Sequence, residues 1–206
     1  MFILGDLFES WIGDDDHSHL SDIVALGLKQ LSDSGTELGF LHGNRDFLLG
    51  KNYAQRCGMA LLSDPSLIRI GEQSVLLCHG DTLCTDDHAY QAYRKKVRKQ
   101  DWQEEFLNKP LAERVEFAHQ ARARSAAHTA AASEAIMDVN STAVVSMMQS
   151  RAVKLLIHGH THRPAIHELS IDSEPARRIV LGAWYEQGSV LVAHQGHFEL
   201  ETILPG

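Results

Sequence analysis

The sequence predicts an α/β protein carrying a helical insertion, and two features point there. Short apolar runs end repeatedly at Gly-containing polar turns: "FIL" runs into Gly5-Asp6, "LGFL" into Gly43-Asn44-Arg45-Asp46, "VLLC" into His79-Gly80-Asp81 and "KLLI" into His158-Gly159-His160-Thr161-His162. Such runs read as buried strands delivering polar groups to one sheet edge, where α/β folds build their sites. From residue 86 to about 150, alanine, charge and helical periodicity take over instead.

Each element follows from its pattern. The opening "MFIL" is a strand, and "HLSDIVALGLKQLSDSG" places Leu20, Ile23, Val24, Leu28 and Leu31 at helical spacing before Gly35 stops it. "TELGFLHGNRD" is a short strand with a Gly turn, and "DFLLGKNYAQRCG" a helix closed by Gly58. "LIRIGEQSVLLCHGD" reads as two strands joined at Gly71. The helical insertion spans 88–150, with Pro110 as its clearest break and Ser133 as the expected N-cap of "SEAIMDVNSTAVVSMMQ". Strand patterns then return in "VKLLIHGHTH", "AIHELSI", "RRIVLGAW", "GSVLVAHQG" and "HFELETIL". The expectation is a single domain over 1–206 with the insertion inside it.

With 206 residues, 44% apolar and 22% charged, the chain can bury a sizeable core. A formal charge of −8 argues against a general nucleic-acid binder. Residues 88–150 nevertheless carry nine Lys/Arg against seven Asp/Glu, so the acidic excess lies elsewhere. An acidic body suits cations, and a mildly basic insert suits an anionic partner. Cys57, Cys78 and Cys84 are too few and too scattered for a disulfide framework, and read as buried thiols of a reducing compartment. "MFILGD" lacks the basic region and apolar length of a signal peptide, so the expected location is cytoplasmic or peripheral on a membrane.

The four turns hold a chemically coherent set. Neutral imidazoles and a carboxylate suit Mn, Fe, Zn or Ni. Asp6 is the natural bridge of a two-metal site, and Asn44 offers an uncharged oxygen that keeps ligand charge low enough for a phosphate to enter. Taken singly, each histidine or Gly-Asp turn reads as structural. Their recurrence in order favours a metal site.

In that order the blocks resemble the calcineurin-like metallophosphoesterases. "ILGDLFESWIGDDD", "HGNRDFLLG", "HGDTLCTDD", "IMDVN" and "LIHGHTHRPAIHEL" are closer still to the branch that hydrolyses UDP-2,3-diacylglucosamine in lipid A biosynthesis. The resemblance implies a sandwich of two mixed sheets flanked by helices, a dinuclear Mn(II) centre, and cleavage of the substrate's pyrophosphate to UMP and 2,3-diacylglucosamine 1-phosphate. It implies that Asp6 bridges the ions, that Asn44, His79 and His158 complete one shell, and that His160 serves the other. Thr161 and His162 would support them. By the same resemblance Asn44, Arg45, Asp87, Tyr90, Arg122, Ser125, Thr129 and His158 face the substrate, whereas Ala132 stands where the family has a lysine.

Arg45 stands where many metallophosphoesterases place histidine. Its fork can hold two phosphate oxygens, although a plain ion pair with Asp46 would also explain it. Arg94, Lys95, Lys96, Arg98 and Lys99, followed by Trp102 and Phe106, look either interface-seeking or like a solvated helix face. Val115, Phe117, Ile136 and Val139 are candidates for an acyl chamber or for ordinary helix packing.

The family places an Asp-x-His block ahead of Gly-Asp, and only five residues precede Asp6. Asp15-Asp16-His17 has neither the spacing nor the preceding strand to replace it. The expectation is therefore an N-terminally truncated chain, lacking its first strand and helix, with one fully liganded metal and impaired hydrolysis. A phosphoesterase for another nucleotide diphosphate conjugate, or an inactive binding remnant, are the alternatives.

Overall fold

The protein is described by a computed structural model covering residues 1–131, 137–194 and 196–204. It divides into two compact units, Met1–Ser63 with Asp87–Met137, and Asp64–Asp86 with Asp138–Gly206.

The first unit contains a parallel sheet of β1 (Phe2–Ile3), β2 (Leu38–Phe40) and β3 (Met59–Leu61). Because β1 and β2 run parallel, the turns at Asp6 and Asn44 leave the same edge. Helix α1 (His19–Asp33) starts where the Ser18 hydroxyl accepts the Ser21 N–H. It buries Ser21, Ala25 and Leu28, while Leu20, Ile23 and Leu31 of the expected apolar face are exposed. The helix is apolar on most sides, so spacing alone does not choose its packed face.

Helix α2 (Lys51–Cys57) begins five residues later than the sequence pattern suggests. Asp46 is fully buried and accepts the Gly43 and Leu7 N–H groups, while Leu48 and Leu49 enter the core as non-helical chain. Gly58 closes α2 in the left-handed conformation at φ 69°, as expected. Strand β3 carries no alternation long enough to read from sequence.

Helices α3 (His88–Val97), α4 (Gln100–Leu107) and α5 (Leu111–Ala131) complete this unit. Phe106 joins Phe8, Trp11, Leu28, Phe40, Leu49 and Tyr53 in one core. Arg114 of α5 is 3% exposed, donates to the carbonyls of Ile12 and Lys109, and pairs with Asp15. The acidic loop therefore anchors helices: Asp15 holds Arg114, and Asp14 accepts the Gly50 and Tyr53 N–H groups at the start of α2.

The second unit is built on a five-stranded mixed sheet ordered β4-β5-β6-β8-β7. Its strands are β4 (Ser66–Ile70), β5 (Gln73–Cys78), β6 (Leu155–His158), β7 (Ala165–Ile171) and β8 (Glu174–Val180). Strands β5, β6 and β8 are mutually parallel, so they end on one edge. Strands β9 (Gly188–His194) and β10 (His197–Ile203) form a separate antiparallel pair.

Helix α6 (Ser141–Ser150) packs against this unit's core through Val144 and Met148. The expected insertion 88–150 is thus shared between units: α3 to α5 belong to the first, α6 to the second. Asn140 caps α6 by accepting the Thr142 and Ala143 N–H groups. Ser133, the expected cap, lies outside the described residues, as do Ala132 and Ile136. All three cysteines are buried and none forms a disulfide, and no described helix is long and apolar enough to cross a membrane.

Candidate functional site

In the first unit, Asp6 follows β1 in a left-handed backbone conformation at φ 54°, which is unusual for a non-glycine residue. Its Oδ1 accepts the Arg45 N–H at 2.9 Å. A Cβ on Gly43 would lie 2.1 Å from that oxygen, so only glycine lets the turn approach so closely. The Asn44–Arg45 turn is pinned from behind by Asp46 and by Arg98, whose guanidinium donates to the Gly43 carbonyl at 2.7 Å and lies over Phe47.

The Asp46 carboxylate accepts the backbone N–H groups of Leu7 and Gly43. Arg45 Nη1 reaches Glu9 Oε1 at 2.6 Å and its Nε lies 3.6 Å from Asp6 Oδ2. The other Glu9 oxygen holds Arg122 of α5. Glu9 was not marked by the sequence pattern, because an isolated acid in "FESW" carries no periodic signal.

These groups border a cavity of about 420 Å³. Asn44, Arg45, Tyr90, Arg122 and Ser125 line it, so five of the expected substrate-facing residues come together in one place. His128 and Lys96 line it as well. Trp11, Phe47, Trp102, Phe106 and Phe117 supply apolar walls. Trp102 and Phe106 are stacked, their ring centroids 5.1 Å apart, and both line the cavity.

Four expected residues have other placements. Asp87 caps α3 by accepting the Tyr90 N–H at 2.9 Å and accepts the His128 Nε2–H at 2.8 Å, without lining the cavity. Thr129 is exposed on α5 and Val115 is on the helix surface; neither lines the cavity. Val139 packs against the core of the second unit instead.

In the second unit the histidines gather at the edge where β5 and β6 end. Cys78 pairs in register with His158, and the Gly159 N–H donates to the His79 carbonyl at 2.9 Å. His79 and His158 are buried, and the His79 and His160 rings meet edge to face at 5.0 Å. His160 and His162 both adopt positive φ, at 67° and 56°. Gly80 is needed here, at φ 116° and with a Cβ position 2.8 Å from His158 Nδ1. Asp64 accepts the His79 N–H, a support that sequence spacing does not disclose.

His158 is held as a neutral imidazole. Burial drives its pKa down to about 4 despite the Gly159 hydrogen bond, with the nearby Arg178 charge adding to the fall. Its Nδ1–H donates to the Gly159 carbonyl at 2.9 Å, which leaves the Nε2 lone pair facing the Arg178 guanidinium at 3.2 Å. A neutral imidazole is the protonation state in which histidine binds metals, so that state fits a divalent ion, which would take the place of Arg178 at Nε2.

The profile of the calcineurin-like phosphoesterases matches residues 1–164, and the chain belongs to that family. Membership implies a divalent metal. A UDP-2,3-diacylglucosamine hydrolase of Escherichia coli O1:K1 / APEC is 51% identical over 200 residues, covering 97% of this chain and 83% of its own length. A protein of the same name from Escherichia coli strain K12 / DH10B matches equally. A solved structure of an archaeal phosphodiesterase aligns over 89% of this chain and 79% of its own, at 13% identity and a TM-score of 0.41.

Proposed function

We propose that the chain hydrolyses the pyrophosphate bond of UDP-2,3-diacylglucosamine, giving UMP and 2,3-diacylglucosamine 1-phosphate for lipid A biosynthesis. The observation that carries this reading is the cavity of the first unit, where Arg45, Arg122, Arg124 and Asn44 border apolar walls. A substrate with a phosphate head and acyl chains needs that pairing. The 51% identity to hydrolases of that name supports it.

Asp6, Asn44, His79, His158 and His160 are the residues proposed to hold the metal, and Mn(II) is the proposed ion. When bound, a divalent ion supplies a water of lowered pKa and positive charge for phosphoryl oxygens. The chain's own groups do the rest. The Arg45 and Arg122 forks bind phosphate oxygens and stabilise charge as the bond breaks. Neither can readily give up a proton, which suits a leaving group that is itself a phosphate monoester. Asn44 adds no negative charge to the ligand set, and the aromatic walls around Trp102 keep water from the acyl chains.

Mass spectrometry of products from UDP-2,3-diacylglucosamine with Mn(II) tests the reading. UMP and the sugar 1-phosphate are expected as the sole products. Cleavage at another bond, or of other nucleotide diphosphate conjugates but not this one, would overturn it. Because the substrate's acyl chains belong to a bilayer, we also propose peripheral attachment to the cytoplasmic face of the inner membrane. Flotation with anionic vesicles is expected to carry the protein in a salt-sensitive manner, and absence of flotation at low salt would exclude it.

A further inference from the structure

We propose that Trp184, flanked by Tyr185, is a stacking platform for the nucleobase of a nucleotide ligand, a role that deepens the substrate reading above and rests on it. The loop after β8 leaves the sheet beside the histidines: Val180 pairs in register with His158, and the Leu181 N–H donates to the His158 carbonyl at 2.8 Å. Three residues on, Trp184 is 67% exposed, far more than a ring of that size is left when it serves only a core.

The ring is nevertheless held in place. Its indole N–H donates to the Ser189 carbonyl at 3.0 Å. A Cβ built on Gly188 would lie 3.3 Å from three atoms of the ring, so one face of the indole rests flat over that glycine. The fixed ring therefore presents its other face outward. A flat surface with its rotamer already set loses little entropy when a flat partner lands on it, which favours stacking over the irregular contacts of a protein partner.

The neighbouring residues favour a nucleotide over an uncharged aromatic ligand. Tyr185 is also exposed, and its ring meets His162 edge to face at 5.8 Å, tying the loop to the His-Gly-His-Thr-His turn. A base on Trp184 would thus sit beside the turn whose histidines are proposed to serve phosphate chemistry. Stacking reads the π-face and tolerates different bases, so uracil is accepted on this platform without base-specific hydrogen bonds.

Calorimetric titration of the protein with UMP and with ribose 5-phosphate, in the presence of Mn(II), separates base from phosphate. Trp184→Ala is expected to weaken UMP binding by about tenfold while leaving ribose 5-phosphate unchanged. Trp184→Phe, which keeps a flat ring, is expected to retain most of the UMP affinity, and its thermal melt guards against misfolding. Equal loss for both ligands, unchanged UMP affinity in Trp184→Ala, or no UMP binding by the parent chain would overturn the proposal. So would loss of phosphatidylglycerol vesicle binding with UMP affinity intact, which would make the loop a membrane contact. Trp184-dependent UMP binding without cleavage of UDP-2,3-diacylglucosamine would sink the substrate reading alone.

Discussion

Asp14 satisfies two backbone donors at the start of α2, the N–H groups of Gly50 and Tyr53, and also accepts the Trp11 indole N–H. Removing it strands those donors in a partly buried setting, so Asp14→Ala is expected to cost about 2 kcal/mol in urea unfolding. A cost within error of zero would show that water replaces the carboxylate. The neighbouring Asp15 is held below its ordinary carboxylate pKa chiefly by the hydrogen bond from Arg114. Its unfolded form takes up a proton near 3.8, before the folded form does, so the pair's contribution is present above that pH and lost as acid titrates the folded carboxyl. Asp15→Asn should therefore destabilise the chain at neutral pH, with the gap to the parent narrowing in melts below pH 3.8. Arg45→Lys keeps the charge but loses the fork that meets Glu9 and the proposed phosphate; kcat/KM is expected to fall roughly tenfold or more. Unchanged kinetics would reduce Arg45 to a point charge.

Among the elements, those that end at chemistry were the most legible. Strands β5 and β6 were readable because "VLLC" and "KLLI" are continuous apolar runs stopped by polar turns. The hairpin turn at Gly71 was readable because φ 60° there suits glycine. The start of α2 was not legible, since "DFLLG" has helical composition while Asp46 binds backbone groups that hold the segment out of a helix. The cap of α6 was placed too early for a related reason. Asn140 is one of several polar residues before "STAVVSMM", and its selection depends on contacts far along the chain: its N–H donates to the Leu83 carbonyl and its side chain to Asp86. Asn140→Ala is expected to lower stability by about 1 kcal/mol through the lost cap, with more if Asp86 is left unsatisfied. Chemical denaturation of the full chain reads this directly, and a neutral substitution would reassign the helix start.

Across the whole molecule, each unit is assembled from two separate stretches of chain. Phe106, with Trp102 and Phe117 against it, completes the core begun by Phe8, Trp11 and Phe40. A fragment of residues 1–63 is thus expected to show no cooperative thermal transition by circular dichroism, because its apolar face lacks the partners supplied by α4 and α5. A sharp melt would show that the first stretch folds alone. The sequence by itself determined the α/β class, the family blocks and the identity of the residues at the strand ends, because strand periodicity and glycine turns are local properties. Only the tertiary structure decided that Glu9 joins Arg45 to Arg122, that Asp87 and Thr129 stay off the cavity, that Trp102 turns inward, and that Arg178 faces His158. Those outcomes depend on which distant side chains share a buried space and must satisfy one another there, and no local pattern encodes that choice.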